Sequence, residues 1–141
     1  MMKKKYKRGY TTGVFDMFHI GHLNILKKAK EYCDFLIVGV TTDELCNQVK
    51  HKNPVIPFEE RKEIVKAIKY VDMVVPQVNM DKISTHAKLQ YDVVFVGSDW
   101  KGTKAWNEYE KAFKELGVDV IYLPYTIGIS SSKLREKIVK L

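Results

Sequence analysis

Between the first apolar run and the first helical pattern, the sequence reads Thr11-Thr12-Gly13-Val14-Phe15-Asp16-Met17-Phe18-His19-Ile20-Gly21-His22. His19 and His22 are three residues apart where the helix begins, so both imidazoles can face one ligand. Gly21 allows a close approach of the backbone. The helix N-terminus adds unpaired N–H groups and the positive end of a dipole. This stretch predicts a strand–turn–helix unit that binds phosphate and stabilises charge developing on phosphorus.

The histidine pair has two other interpretations. Each histidine alone is more often an ordinary surface or core residue, and the two together can ligate a metal. No third ligand of a suitable type is evident nearby, so we predict no protein metal site. The position between a strand and an amphipathic helix, directly after residues 13–16, favours the phosphate site.

Apolar, β-rich runs alternate with helical patterns along the chain, which indicates parallel βαβ units. We predict one α/β domain over residues 1–141: a doubly wound, Rossmann-like sheet of five parallel strands at residues 8–12, 35–40, 73–75, 93–96 and 118–123. Helices are expected at residues 22–30, 58–69, 81–89, 104–116 and 131–140. Such sheets bind ligands at the carboxyl ends of the strands, where the strand order reverses.

The composition limits the partners. A net charge of +7 favours an anionic partner, but no nucleic-acid motif accompanies it. No apolar run approaches the roughly 18–20 residues that span a bilayer, and no apolar segment of a secretory signal follows the basic start. Cys33 and Cys46 are too few for a disulfide framework. We expect a cytoplasmic protein that binds neither nucleic acid nor membrane.

Several blocks of sequence, in order over nearly the whole chain, are similar to one family. Residues 13–22 resemble the signature of the cytidylyltransferase branch of the HIGH-motif nucleotidyltransferases, and residues 128–133 (Gly-Ile-Ser-Ser-Ser-Lys) resemble a second block of that branch. Further matches are Thr-Thr-Asp-Glu at 41–44, Arg61 followed by Tyr-Val-Asp at 70–72, and Gly-Ser-Asp-Trp at 97–100.

The resemblance implies an enzyme that moves CMP from CTP to a phosphorylated small alcohol and releases pyrophosphate, with Mg²⁺ accompanying the triphosphate. Glycerol 3-phosphate is the first acceptor to expect, and ethanolamine phosphate or choline phosphate are alternatives. An adenylyltransferase of the same superfamily and a non-catalytic nucleotide-binding module are the competing hypotheses. Relatives are often dimers, so the resemblance also implies a homodimer.

The resemblance assigns catalytic functions to His19, His22 and Lys50, the last in an expected loop at 48–52. It assigns Asp99 to the cytosine amino group, for which a carboxylate is a suitable acceptor. The full nucleotide-binding set is Thr12, Gly13, Phe15, Asp16, Arg61, Asp99, Thr126, Ser130 and Ser131.

Several of these residues have alternative functions. Asp16 either orients the loop or approaches the magnesium. Arg61 either donates a fork to a phosphate or forms a surface pair with a neighbouring acid. Thr126, Ser130 and Ser131 offer hydroxyls to the β- and γ-phosphates, while a serine there can also simply cap the last helix.

Three positions depart from the family's blocks. Tyr125 and Ile127 replace an arginine and an acid, and Lys69 replaces an arginine. Arginine and lysine are not equivalent at a bidentate phosphate site. We therefore expect a different acceptor, weak activity, or compensation by another cation, for which the candidates are Lys101, Lys104 and Arg135.

Overall fold

The computed structural model describes residues 5–125 and 130–139. The strands are β1 (Tyr6–Gly13), β2 (Cys33–Thr41), β3 (Met73–Gln77), β4 (Val93–Gly97) and β5 (Asp119–Leu123). The helices of the described ranges are α1 (Ile20–Tyr32), α2 (Asp43–Lys50), α3 (Phe58–Lys66), α4 (Lys82–Leu89), α5 (Lys104–Glu115) and α6 (Ser131–Val139), with a 3₁₀ turn at Ser98–Trp100.

All five strands form one parallel sheet in the order β3-β2-β1-β4-β5, which confirms the predicted α/β fold. The chain adds β2 and β3 on one side of β1, and then crosses to the other side to add β4. The strand order therefore reverses between β1 and β4, and the crevice for a ligand lies beyond their carboxyl ends.

Apolar side chains cover both faces of the sheet. On one face, here called the α1 face, Leu26 and Ala29 of α1 pack on Leu36 and Val38 of β2. On the other, the α5 face, the core is formed by Tyr10, Ile37, Tyr91, Val94, Trp106, Phe113 and Val118. Because successive side chains of a strand point to opposite faces, Thr12 shares the face of Tyr10.

The structure differs from the sequence prediction mainly after β2. Residues 43–50 form α2, so the prediction that Lys50 lies in a loop was wrong: it is the last residue of a helix. With eight residues, of which only Leu45 and Cys46 are buried, α2 is too short to show a periodic pattern of apolar residues in the sequence. Its start is nevertheless visible in Thr42, whose hydroxyl accepts from the Leu45 N–H.

Cys33 and Cys46 are both buried, and neither takes part in a disulfide. Pro76 lies in β3, an edge strand where the missing N–H is tolerated. No helix in residues 5–125 or 130–139 is long and apolar enough to cross a membrane.

Candidate active site

His19 and His22 cap the start of α1 reciprocally. The His19 Nδ1 accepts from the Gly21 N–H at 3.0 Å, and the His22 Nδ1 accepts from the His19 N–H at 3.2 Å. The rings stack with their centroids 3.8 Å apart. Since each Nδ1 is an acceptor, a neutral ring carries its proton on Nε2. The pair therefore presents two N–H donors.

Burial favours the neutral form of both imidazoles. Desolvation lowers the pKa of His19, and desolvation together with the neighbouring His19 lowers the pKa of His22 to about 4. The Nε2 of His19 is buried, and it is the one such side-chain atom of the described residues without a hydrogen-bond partner. A buried donor left unpaired costs about 1–3 kcal/mol, which a ligand oxygen in the crevice offsets.

The loop before α1 holds His22 in place. Phe15 and Met17 adopt left-handed φ angles of 54° and 50° although neither is glycine, and such strain is often found at functional sites. The buried Phe15 ring packs edge-on against His22, with centroids 5.4 Å apart. A Cβ on Gly13 would lie 3.0 Å from that ring. The side chain of Phe15 thus positions His22, and only its backbone can face a nucleotide.

Asp16 orients this loop. Its carboxylate accepts from the Val55 N–H at 2.8 Å, the Ile56 N–H at 2.9 Å and the Arg135 guanidinium at 3.1 Å. Although burial opposes ionisation, these hydrogen bonds lower the pKa of Asp16. Both oxygens are occupied, so Asp16 does not fit as a magnesium ligand. The described residues contain no cluster of three acidic, histidine or cysteine side chains that could hold a metal ion.

The Arg61 guanidinium is buried and hydrogen-bonded within the protein, so it is not available to a phosphate as predicted. Its side chain is 1% exposed, and the guanidinium donates to the Ile56, Val14 and Thr41 carbonyls and to Asp43 at 2.6–2.8 Å. The expected surface ion pair between Arg61 and a neighbouring acid on α3 is also absent, because the acid that pairs with Arg61 is Asp43 of α2. The sequence could not reveal this, since the acceptors come from three separate segments. Arg61 braces the loop before α1 against β2 and α2.

The start of α6 lies beside the same loop. Ser130 accepts from the Lys133 N–H at 3.1 Å and caps the helix, while the Ser131 hydroxyl donates to the Asp16 carbonyl at 2.7 Å. Arg135 also donates to the Asn53 carbonyl. The start of α6 thus contacts the loop that leads into α1. Thr126 and Ile127 lie outside the described residues.

Three further predicted residues, Lys50, Lys69 and Asp99, are exposed. Lys50 lies at the end of α2, and Lys69 places its ammonium over the ring of Tyr70. Asp99 is in the 3₁₀ turn that follows β4, at the reversal of strand order. Burial, and then the Asp99 carboxylate, raise the pKa of the Tyr125 phenol, whose hydroxyl would collide with a Cβ on Gly97. Tyr125 therefore lies beside the residue expected to contact the base.

Lys82, the first residue of α4, is a candidate site residue that the sequence motifs do not reveal. Lys82 is 7% exposed, and its ammonium lies 3.0 Å from the Thr12 hydroxyl and 5.8 Å from the centre of the Trp106 ring. Burial lowers its pKa to about 8. The available signal was topological: a helix between β3 and β4 must cross β2 and β1, which places its first residues above the end of β1.

Comparison with known proteins agrees with this geometry. Residues 10–137 match the family described as Cytidylyltransferase-like. The chain is similar to a glycerol-3-phosphate cytidylyltransferase of Staphylococcus aureus, with 38% identity over 94% of this chain and 95% of the relative. It is also similar to an FAD synthase of Thermococcus sibiricus, with 35% identity over 99% of this chain and 97% of the relative.

A solved structure shares the fold. The lipopolysaccharide core biosynthesis protein of Thermoplasma volcanium superposes with a TM-score of 0.70 at 28% identity, covering 86% of this chain and 98% of that one. The agreement extends over nearly the full length of the chain and includes the loop that carries both histidines. The chain belongs to the cytidylyltransferase-like family and is a nucleotidyltransferase.

Proposed function

We propose that this enzyme transfers CMP from CTP to a phosphorylated small alcohol, with glycerol 3-phosphate as the first candidate, and releases pyrophosphate. The observation that carries the proposal is the pair of uncharged Nε2–H donors at the start of α1, one of them buried and unpaired. The similarity to glycerol-3-phosphate cytidylyltransferases supports CTP and this acceptor.

The chemistry needs no proton transfer by the protein. A phosphate monoester is mostly dianionic at pH 7, since its second pKa is about 6. One of its oxygens attacks the α-phosphorus of CTP, and the bond from that phosphorus to the bridging oxygen of the β-phosphate breaks. The Nε2–H groups of His19 and His22 stabilise the charge that develops on the α-phosphate and on the leaving oxygen. Catalysis consists of alignment and charge stabilisation.

The described residues do not fit a dedicated magnesium cage, because both oxygens of Asp16 already accept hydrogen bonds. We propose that Mg²⁺ enters with the triphosphate and is held chiefly by phosphate oxygens. The start of α6, with Ser130 and Ser131, is suited to receive the β- and γ-phosphates, since its N–H groups lie beside the Asp16 loop.

A second candidate, adenylyl transfer, is favoured by the FAD synthases among the relatives. FAD contains an AMP unit joined to a flavin phosphate, so that reaction has the same form with ATP and another phosphate monoester. Asp99 favours CTP, because its carboxylate can accept from the cytosine amine at the mouth of the crevice.

Pyrophosphate release with each of the four nucleoside triphosphates, crossed with glycerol 3-phosphate, choline phosphate, ethanolamine phosphate and flavin mononucleotide, tests the proposal. We expect CTP with glycerol 3-phosphate to give the highest kcat/KM. Faster turnover with ATP and the flavin would contradict it and establish the second candidate. A protein that releases no pyrophosphate with any pair would be a nucleotide-binding module.

A variant of Asp99 tests the assignment of the base contact. Asp99→Asn should narrow the preference for CTP over UTP, because an amide can donate to the uracil carbonyl as well as accept. Asp34→Asn, an exposed acid near the amino end of β2, is the matched control. An unchanged CTP/UTP ratio in Asp99→Asn would place base recognition on other groups. The homodimer stays a prediction, which light scattering of the purified protein tests.

A further inference from the structure

Helix α6 is held to the rest of the protein mainly by polar contacts. None of its nine residues is buried, and the half-buried ones, Ser131, Leu134 and Arg135, have the spacing of a single helical face. Only one of these three side chains is apolar, whereas Ile138 and Val139 are 59% and 85% exposed. Burial of apolar surface therefore contributes little, and the placement of α6 depends on Ser131 and Arg135.

Both of these polar side chains converge on Asp16. The Ser131 hydroxyl donates to the Asp16 carbonyl at 2.7 Å. The Nη2 group of Arg135 donates to the Asp16 carboxylate at 3.1 Å and to the Asn53 carbonyl at 3.0 Å. The Asp16 side chain is 7% exposed and that of Arg135 is 29% exposed. Because this ion pair lies largely out of solvent, salt screens it less than a surface pair.

Arg135 joins three segments that are distant in the sequence. Asp16 lies in the loop before α1, and Asn53 lies between α2 and α3. The Asp16 carboxylate also accepts from the Val55 and Ile56 N–H groups, so these two loops are already tied to each other. The guanidinium of Arg135 adds α6 to a framework that other contacts have fixed.

The same contacts decide whether Arg135 can replace the arginines that this chain lacks. A guanidinium grips a phosphate with two parallel N–H donors, and both of its possible forks include Nη2. Since Arg135 uses both hydrogens of Nη2 within the protein, it does not offer a free fork to a phosphate. Its contribution has to come through the residues that it holds.

We propose that Arg135 is a positioning residue, which docks α6 on the loop before α1 and so places the helix start that receives the β- and γ-phosphates. This inference rests on the proposed function for the location of the triphosphate, and it holds for CTP and ATP alike. Arg135 lies one turn beyond the first residue of α6 and acts through Asp16 and Asn53. With α6 docked before the nucleotide arrives, the cost of ordering its start is already met.

The variant Arg135→Met tests the proposal, because methionine keeps an unbranched side chain that suits a helix and removes both contacts. Calorimetry with CTP and with ATP identifies the triphosphate that the wild type binds more tightly. The affinity of Arg135→Met for that nucleotide should fall about tenfold, and its KM should rise equally, while the acceptor KM changes less than about twofold. Lys137→Met, which changes an exposed lysine of the same helix, is the control and should alter none of these constants.

Hydrogen exchange of the α6 amides in the nucleotide-free protein gives a readout independent of turnover. These amides should exchange at least about tenfold faster in Arg135→Met than in the wild type or Lys137→Met. Weaker nucleotide binding with unchanged exchange would overturn the inference, since Arg135 would then contact the phosphates itself. Unchanged nucleotide affinity in Arg135→Met would also overturn it. Absence of CMP transfer by the wild type would contradict the proposed function alone, because binding and exchange need no turnover.

Discussion

The starts of α1 and α4 reach the same crevice from opposite faces of the sheet, with different chemistry. At α1, two stacked imidazoles are uncharged and donate through Nε2. At α4, Lys82 brings a positive charge into a buried position beside Thr12. Each start is fixed by its own contacts: Arg61 and Asp16 brace the loop of α1, and Tyr91 holds the backbone of α4.

The difference fits the charges that each region has to stabilise. A phosphate dianion is fully charged before the reaction, so a fixed cation binds it in the ground state. The α-phosphate and the leaving oxygen gain charge as the bond breaks, and ordered neutral donors favour that state over the substrate. The comparison predicts that changes at α1 lower kcat, whereas changes at α4 raise the KM of the acceptor.

Removing the brace of the α1 loop should have the largest effect. Arg61→Met removes a buried guanidinium that donates to three carbonyl groups and to the partly exposed Asp43, so we expect a loss of at least about 3 kcal/mol in the free energy of unfolding. Lys62→Met, which removes an exposed pair with Glu59, should leave the free energy of unfolding nearly unchanged, because solvent screens that pair. Urea denaturation measures both. Arg61→Lys with wild-type stability and a raised nucleotide KM would show that this arginine contacts phosphate.

The histidines should affect the rate more than binding. His19→Ala and His22→Ala should each lower kcat by about 10²–10³-fold, with little change in the KM for the nucleotide, because they act where charge develops. The control is His86→Ala on α4, which packs edge-on against Tyr91 and should keep most of the activity. Near-normal turnover in either active-site variant would remove that histidine from the mechanism.

The two regions also differ in how far sequence reveals them. The α1 site is local: a strand end, a glycine, two histidines and a helix start lie within residues 11–22, and spacing alone brings them together. Lys82 and Thr12 are 70 positions apart and meet because α4 crosses the sheet. The contacts of Arg61 are equally hard to predict from the sequence, since its hydrogen-bond acceptors lie at positions 14, 41, 43 and 56. Apolar runs predicted the five strands, but the partners of a single buried cation depend on strand order and crossovers.

Substitutions of two neighbouring threonines on β1 should have smaller effects, and these effects should distinguish the two faces of the sheet. Thr12→Val removes the hydroxyl next to Lys82, and we expect the acceptor KM to rise about tenfold and the free energy of unfolding to fall by about 1 kcal/mol, because the buried ammonium loses a hydrogen-bond acceptor. Thr11→Val removes a buried hydrogen bond to the Phe95 carbonyl on the other face, so it should cost about 1 kcal/mol of stability and leave the KM unchanged. The same response from both variants would contradict the separation of the faces.

The smallest effect is on the pH dependence of stability. Protonation of either region opposes folding, but in different pH windows. The pKa of His22 is about 4 in the folded protein against an ordinary 6.5, so between these values the unfolded chain binds more protons and stability falls as the pH falls. The pKa of Lys82 is about 8 against an ordinary 10.5, so stability rises as the pH rises from 8 towards 10.5.

Urea denaturation of the free protein from pH 5 to 9.5 tests this. We expect the free energy of unfolding to fall by about 1 kcal/mol between pH 7 and pH 5 and to rise by about 1 kcal/mol between pH 8 and pH 9.5, after allowing for partial solvent access. His22→Gln should reduce only the first slope, because His19, whose pKa burial also lowers, still titrates there. Lys82→Met should remove only the second slope. A single variant that flattened both windows would mean that the two helix starts titrate as one coupled site, and the division between a neutral and a charged half of the crevice would be wrong.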